Sequence, residues 1–132
     1  MTRGLNEFWS HPKPYSSGLE FRGICKDVID GDTYTILVDL GFYIYTNIRV
    51  RLNGVDTPEL RGGTEAQQAR GIEAQYFVQD LILNKPVVIR TYRDKKSFDR
   101  WIADVSFYIR DTNGNLEETD LGTAIMNKGL IK

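Results

Sequence analysis

The 132-residue sequence contains one cysteine, one histidine and no long apolar run, and each scarcity removes a class of function. Cys25 can form neither an internal disulfide nor a structural zinc site by itself. Its position in an apolar, strand-like run predicts a buried, inert thiol. His11 lies in a proline-flanked segment near the N-terminus, which argues against histidine-based catalysis and against a multi-histidine metal site. No stretch approaches the length needed to span a bilayer.

The chain also lacks a large excess of either charge, with a formal net charge of -1. A protein that binds nucleic acid by bulk attraction is usually clearly basic, so any phosphate binding must be local. The length predicts a single domain. Residues 1–18 lack the basic-then-apolar pattern of a secretory signal and are interpreted as a tail before a domain over residues 19–132. This favours an intracellular or phage-type setting.

Alternating apolar residues and turn signals predict a mainly β chain. The Asp30-Gly31 pair is a strong hairpin signal between the first two strands, and Gly41 turns the chain into the third. The predicted strands cover residues 19–29, 33–40, 43–53, 87–91 and 101–109. The first three form an antiparallel meander that is twisted enough to begin a barrel.

Two helices are predicted among these strands. Thr64 could begin a capping box, but Gly71 interrupts a helix that starts so early, so the firmer prediction is a helix over residues 72–84. A short second helix follows the fifth strand, with Thr119 or Asp120 as its cap. The order βββαββα indicates an α+β fold, namely a five-stranded, partly open OB-type barrel that often binds oligonucleotides. Such a fold does not by itself assign a function.

Three acidic residues, Asp32, Asp56 and Glu59, lie at turns that the meander can bring together. Carboxylate and carbonyl oxygens suit hard cations such as Ca²⁺ or Mg²⁺. Acids that converge without a cation would repel one another and raise one another's pKa values, so a metal is their natural neutraliser. The alternative, that these acids only form turns and face solvent, is about equally consistent with the spacing alone.

Two arginines, Arg51 and Arg100, lie at the end of the third strand and at the start of the fifth. A guanidinium group matches the oxygens of a phosphate through two parallel hydrogen bonds, which lysine cannot do. Either arginine could instead be an ordinary ion-pair partner. Without the three acids nearby, the ion-pair interpretation would be favoured.

The stretch from residue 90 to 101 mixes aromatic and basic side chains, a combination that suits a groove for single-stranded DNA or RNA. Rings would stack on bases and cations would contact phosphates. The candidate nucleic-acid-binding residues are Tyr92, Lys95, Lys96, Phe98 and Trp101. The alternative is a strand edge with its usual amphipathic residues.

Five motifs, in order, make the chain resemble the staphylococcal (micrococcal) nuclease family, also called thermonucleases. They span about Phe21 to Lys132. They are Ile29-Asp-Gly-Asp-Thr33, Arg51-x-x-x-Val-Asp-Thr-Pro-Glu59, Gly71-x-Glu-Ala74, Phe98-Asp-Arg100 and Asn127-Lys-Gly-Leu130. Each motif is weak alone, and all five in this order are specific.

The resemblance implies Ca²⁺-dependent hydrolysis of DNA and RNA that leaves 3′-phosphate and 5′-hydroxyl ends. Asp32 and Asp56 resemble the calcium-binding carboxylates, with the backbone carbonyl of Thr57 as a further ligand. Glu59 is similar to the glutamate that activates the attacking water. The implied transition-state residues are Arg51 and Arg100. The alternative is a non-catalytic OB-fold module for nucleic acid or protein, but such a module usually loses some of these side chains.

The sequence departs from the family pattern in three ways. The family usually has Tyr-Gly-Arg with a preceding lysine where this chain has Ser97-Phe98-Asp99-Arg100, which weakens a terminal-phosphate contact. The sequence stops at Lys132, before the family's tyrosine-bearing loop and third helix, so the surface left there could support self-association. The charge balance is not basic, which predicts modest affinity for nucleic acid.

Overall fold

The computed structural model describes residues 19–93 and 100–132. The predicted tail over residues 1–18 and the predicted site residues Lys95, Lys96 and Phe98 therefore lie outside the described residues. The described strands are β1 (Leu19–Asp30), β2 (Thr33–Asp39), β3 (Tyr45–Leu52), β4 (Pro86–Arg93), β5 (Trp101–Arg110) and β6 (Leu116–Asp120), and the helices are α1 (Glu65–Ile82) and α2 (Leu121–Lys128).

Five of the strands close into a barrel, which confirms the predicted OB-type fold. The sheet runs in the order β3-β2-β1-β4-β5-β6, and a further parallel pairing between β3 and β5 completes the ring. In that pairing Val50 lies opposite Trp101, and Leu52 lies opposite Ala103. The end of β3 and the start of β5 are therefore neighbours, although about 50 residues separate them along the chain. None of the described helices is both long and apolar enough to cross a membrane.

Strand β6 was not predicted from the sequence. Its segment, Leu-Glu-Glu-Thr-Asp, is almost entirely exposed and pairs with the second half of β5. An edge strand of this kind needs no buried face, so its sequence carries no apolar alternation. Its last residue, Asp120, caps α2 by accepting a hydrogen bond from the N–H of Thr123 at 2.9 Å.

The barrel interior is filled by the alternating apolar residues that predicted the strands. Tyr34, Ile36 and Val38 of β2 are fully or almost fully buried, as is Cys25 of β1. Desolvation by these surroundings raises the pKa of the Cys25 thiol to about 11. The predicted burial of the thiol is thereby confirmed, and the raised pKa favours the less reactive protonated form.

Helix α1 begins at Glu65, seven residues before the predicted start at residue 72. The capping box at Thr64 is formed: its hydroxyl accepts the N–H of Gln67 at 3.2 Å, and the Gln67 side chain accepts the N–H of Thr64 at 2.9 Å. The interruption expected at Gly71 was wrong. Gly71 is buried within α1, where the helix approaches the backbone that follows β3, and close packing rather than a break explains the glycine.

The third strand begins at Tyr45, two residues later than predicted. Phe42 and Tyr43 instead form the tip of the β2–β3 hairpin, with φ angles of 55° and 61°. Residues whose backbone adopts this left-handed conformation cannot continue a strand. The tip lies at the far end of the hairpin from Arg51, which pairs with Thr33 at the other end of the same ladder.

Candidate active site

One cleft of about 670 Å³ contains every residue predicted to be catalytic or metal-binding. The β1–β2 turn, the segment after β3, the start of β5 and the last residue of the chain form its walls. The predicted residues that line it are Asp32, Arg51, Asp56, Thr57, Glu59 and Arg100. The barrel therefore brings together three places in the sequence that lie up to 68 residues apart.

The β1–β2 turn is packed tightly against the segment that follows β3. A Cβ atom added at Gly31 would lie 2.6 Å from the hydroxyl of Thr57 and 2.9 Å from the Cβ of Ala74 in α1. Only glycine allows this approach. The approach positions Asp32, whose Oδ2 accepts a hydrogen bond from the N–H of Thr57 at 3.1 Å.

Asp32 is a carboxylate largely removed from water. Asp32 is only 8% exposed, and its Oδ1 accepts a hydrogen bond from the hydroxyl of Thr33 at 3.2 Å. Desolvation raises the pKa of Asp32 to about 6, and Asp30 adds to the increase, whereas the Thr57 N–H and Arg51 oppose it. The ionised form of Asp32 is therefore less stable here than it would be in water, and a nearby cation would stabilise it.

Asp56 is paired with an arginine rather than with the other acids. Nη2 of Arg51 donates to Oδ1 of Asp56, and the two side chains are 37% and 62% exposed. Within residues 19–93 and 100–132, no group of three acidic, histidine or cysteine side chains converges closely enough to hold a metal ion. The predicted ligands thus share a cleft without forming a closed cluster.

The chemistry of the donors nevertheless fits a hard cation. The available groups are oxygen atoms, which Ca²⁺ and Mg²⁺ prefer, and Asp32 is a desolvated carboxylate with a raised pKa. The hydroxyl of Thr57 is a buried oxygen that has no hydrogen-bond partner in the described part of the chain. Buried polar atoms are normally satisfied, so the Thr57 hydroxyl has unused hydrogen-bonding capacity.

Glu59 lies in the segment after β3, whose backbone packs closely against Gly71 of α1. A Cβ atom at Gly71 would lie 2.5 Å from the carbonyl oxygen of Glu59 and 3.0 Å from that of Pro58. The Glu59 side chain is 69% exposed, and its Oε1 accepts a hydrogen bond from Nζ of Lys132 at 2.9 Å. The carboxylate is thus accessible to water and held on one side by a cation.

Arg100 lies directly before β5, on the same side of the cleft as the end of β3. The parallel Val50–Trp101 pairing places the start of β5 beside the second half of β3, with Arg51 paired to Ile102 two residues after Arg100. Arg51 and Arg100 both line the cleft. Two fixed guanidiniums facing one cleft are suited to a phosphate group.

The two described aromatic candidates do not line this cleft. The hydroxyl of Tyr92 donates to Oδ2 of Asp104 at 3.2 Å. Trp101 is 38% exposed and lines a separate apolar pocket of about 190 Å³, together with Leu19 and Phe21 among others. Their proposed stacking on bases stays a prediction, and so does the role of Lys95, Lys96 and Phe98.

Three charged residues that line the cleft were missed from the sequence: Asp30, Arg61 and Lys132. Asp30 was interpreted only as a turn residue, although its Oδ1 accepts the N–H of Asp32 at 3.0 Å. Arg61 follows Glu59 by two residues, a signal that could have been used. Lys132 gave no signal, because 73 residues separate it from Glu59.

The fold and cleft define the class of protein: a small OB-type barrel with carboxylates and arginines gathered at one end. The chain belongs to the staphylococcal nuclease homologue family, which matches residues 49–132. It is also 27% identical over 111 residues to the micrococcal nuclease of Shigella flexneri. Those residues are 84% of this chain and 57% of that protein, so the chain spans a little over half the length of this relative.

Proposed function

We propose that this chain is a metal-dependent nuclease that hydrolyses phosphodiester bonds of DNA or RNA with little sequence specificity. The observation that carries the proposal is the single cleft lined by Arg51, Glu59 and Arg100 together with Asp32 and Asp56. Membership of the staphylococcal nuclease homologue family supports the same activity. The exposed cleft gives access to an extended strand, for which single-stranded DNA or RNA is the proposed substrate.

Asp32, Asp56 and the backbone carbonyl of Thr57 are the residues that would hold the metal ion. We propose Ca²⁺, and another divalent cation is compatible with the same oxygen donors. The bound ion supplies positive charge next to the phosphate that gains negative charge during hydrolysis. The raised pKa of Asp32 supports this assignment, because its ionised form is stabilised by a nearby cation.

Glu59 is the proposed general base. An accessible carboxylate can accept a proton from water as the water attacks phosphorus, and such catalysis contributes roughly 10²–10⁴-fold. Its exposure of 69% is compatible with contact to a water molecule. This assignment requires no histidine, in agreement with the composition of the chain.

Arg51 and Arg100 are the proposed stabilisers of the transition state. Hydrolysis increases the negative charge on the phosphoryl oxygens, so fixed guanidiniums stabilise the transition state more than the substrate. The ion pair of Arg51 with Asp56 does not prevent this role. A guanidinium has five N–H donors, and contact with one carboxylate oxygen leaves others for a phosphate.

The competing function is a non-catalytic OB-fold module that binds nucleic acid or protein. The same Arg51–Asp56 ion pair favours it, because the pair neutralises one proposed transition-state residue and one proposed metal ligand. The retention of both arginines and all three acids in one cleft favours the nuclease. A cleavage assay separates the two functions.

The test is the degradation of single-stranded DNA, and separately of RNA, with Ca²⁺ and with a chelator. We expect Ca²⁺-dependent products with 5′-hydroxyl ends, which a polynucleotide kinase labels without prior phosphatase treatment. Glu59→Ala and Arg100→Ala should abolish most of the activity, while the exposed-strand control Arg49→Ala should retain it. Binding without cleavage by the wild-type protein would establish the non-catalytic module instead.

A further inference from the structure

The four residues after α2, residues 129–132, run back across the molecule to the cleft, and we refer to them as the C-terminal strap. Gly129 adopts a left-handed conformation with φ of 78°, which ends the helix and redirects the chain. Leu130 is then buried in the core with 3% exposure. The strap is therefore anchored to the domain rather than only extended from it.

Two further interactions, one made by Arg70 and one by Lys132, hold the strap in place. Arg70 of α1 donates through Nη2 to the carbonyl oxygens of Gly129 and Ile131, at 2.7 and 3.4 Å. The backbone N–H of Lys132 donates to the carbonyl oxygen of Asp56 at 2.9 Å. The second contact joins the strap to the segment that carries the proposed metal ligands and the proposed base.

The strap delivers the side chain of Lys132 to Glu59. Nζ of Lys132 lies 2.9 Å from Oε1 of Glu59, a normal length for a charge-assisted hydrogen bond. The hydrogen bond and the charge of Glu59 raise the pKa of Lys132, so the ammonium group is charged at neutral pH. Both side chains are more than half exposed, and exposed ion pairs contribute little to stability. The contact therefore adds little to the stability of the fold.

We propose that Lys132 is a positioning residue for Glu59. The inference rests on the proposed nuclease function, in which Glu59 accepts the proton of the attacking water. The ammonium group engages Oε1 and restricts rotation of the carboxylate, so that Oε2 is the oxygen that receives the proton. Catalysis is sensitive to such placement, since a displacement of about 1 Å can reduce the rate by about 100-fold.

The first test is the steady-state cleavage of single-stranded DNA by Lys132→Met. We expect kcat to fall by about 10- to 100-fold with KM changed less than about twofold, because orientation of the base is lost and substrate binding is not. Lys132→Arg restores the cation and should recover most of kcat. The matched control is Lys128→Met, which removes the same charge from an exposed position on the last turn of α2.

A double-mutant cycle separates positioning from direct contact with the substrate. In a Glu59→Gln background, Lys132→Met should cause almost no further loss, because the residue acts through Glu59. A loss that is the same in both backgrounds, accompanied by a raised KM, would overturn the inference. Lys132 would then bind a substrate phosphate itself.

A third measurement does not depend on activity. A water-soluble carbodiimide joins amines to carboxylates that are in contact, and mass spectrometry of the digested protein locates the new amide bond. We expect a Glu59–Lys132 cross-link that is reduced in Arg70→Met, where the strap loses an anchor. Absence of this cross-link in the wild-type protein would refute the contact.

The outcomes also distinguish the inference from the function on which it rests. A wild-type protein without cleavage activity would overturn the proposed function, and with it the role of Lys132 in catalysis. An active wild-type protein that Lys132→Met leaves unchanged would overturn the inference alone.

Discussion

The carboxylate of Asp32 accepts a hydrogen bond from the backbone N–H of Thr57, 25 residues further along the chain. This contact joins the β1–β2 turn to the segment after β3, and so joins the two halves of the proposed metal site. The contact requires the carboxylate of Asp32 to be buried next to Asp30, which disfavours its ionised form. A domain that only needed a tight turn there could use a neutral residue, so the buried carboxylate points to a ligand.

The first prediction is that Asp32→Asn stabilises the metal-free protein at pH 8. The folded pKa of Asp32, about 6, is above its ordinary value of 3.8, so ionisation costs stability. This loss of stability is absent below about pH 3.8, grows between pH 3.8 and pH 6, and is complete above about pH 6. In urea unfolding with a chelator present, the free energy of unfolding of Asp32→Asn should exceed that of the wild-type protein by up to about 3 kcal/mol at pH 8. The two proteins should differ little at about pH 3.5. A destabilised variant at pH 8 would contradict the raised pKa.

The second prediction concerns the effect of calcium on the same two proteins. Added Ca²⁺ should raise the free energy of unfolding of the wild-type protein at pH 8, because it binds the folded state and offsets the charge of Asp32. Asp32→Asn should lose most of this response. Asp80→Asn, which removes an exposed carboxylate from α1, should keep it. Equal responses in all three proteins, measured by thermal unfolding, would place the ion elsewhere.

The third prediction is a contrast between two arginines of β3. Arg51 lines the cleft, while Arg49 is exposed on the same strand and does not. Arg51→Met should lower kcat for single-stranded DNA by about 10²–10³-fold, the range expected for a lost transition-state donor. Its stability should change by less than about 1 kcal/mol, because the ion pair with Asp56 is partly exposed. Equal losses of activity in Arg51→Met and Arg49→Met would indicate a general effect of charge.

The fourth prediction is that no side chain is tolerated at Gly71, where α1 lies against the backbone of Glu59. The added Cβ in Gly71→Ala would meet backbone oxygen at 2.5 Å, so we expect a loss of about 1–3 kcal/mol and a lower kcat. In the control, Gly122→Ala, the nearest atom is a side-chain methyl group of Val55 at 3.1 Å, which can move. Alanine's better helix propensity, worth about 1 kcal/mol, should make this control nearly neutral. Urea unfolding and kinetics of both variants provide the measurement.

The barrel could be predicted because its signals are local. Tyr34, Ile36 and Val38 alternate with the half-buried or exposed Thr35, Leu37 and Asp39, and their burial follows directly from the period of a strand. Strand β6 and the early start of α1 could not be predicted in the same way. The first has no buried face. The second had a local signal in the Thr64 capping box, but only the folded chain shows that Gly71 is explained by a close backbone approach rather than by a break.

The candidate site was predictable to the extent that recognisable residue types fall at strand ends. Arg51, Asp56 and Glu59 share one short segment, and the barrel pairing adds Arg100. The contact between Lys132 and Glu59 depends on how the strap folds back, and no spacing in the sequence encodes it. The ion pair of Arg51 with Asp56, by contrast, matches the alternative that the sequence left open, in which an arginine is an ion-pair partner.

The most direct test of the central claim, that this cleft catalyses hydrolysis with Glu59 as the base, is the single-turnover cleavage rate of Glu59→Gln. Single-stranded DNA with saturating Ca²⁺ is the substrate, and Glu117→Gln, which neutralises an exposed glutamate of β6, is the matched control. We predict that Glu59→Gln is slower than the wild-type protein by about 10²–10⁴-fold and that Glu117→Gln is unchanged. Cleavage by Glu59→Gln at the wild-type rate would contradict the account.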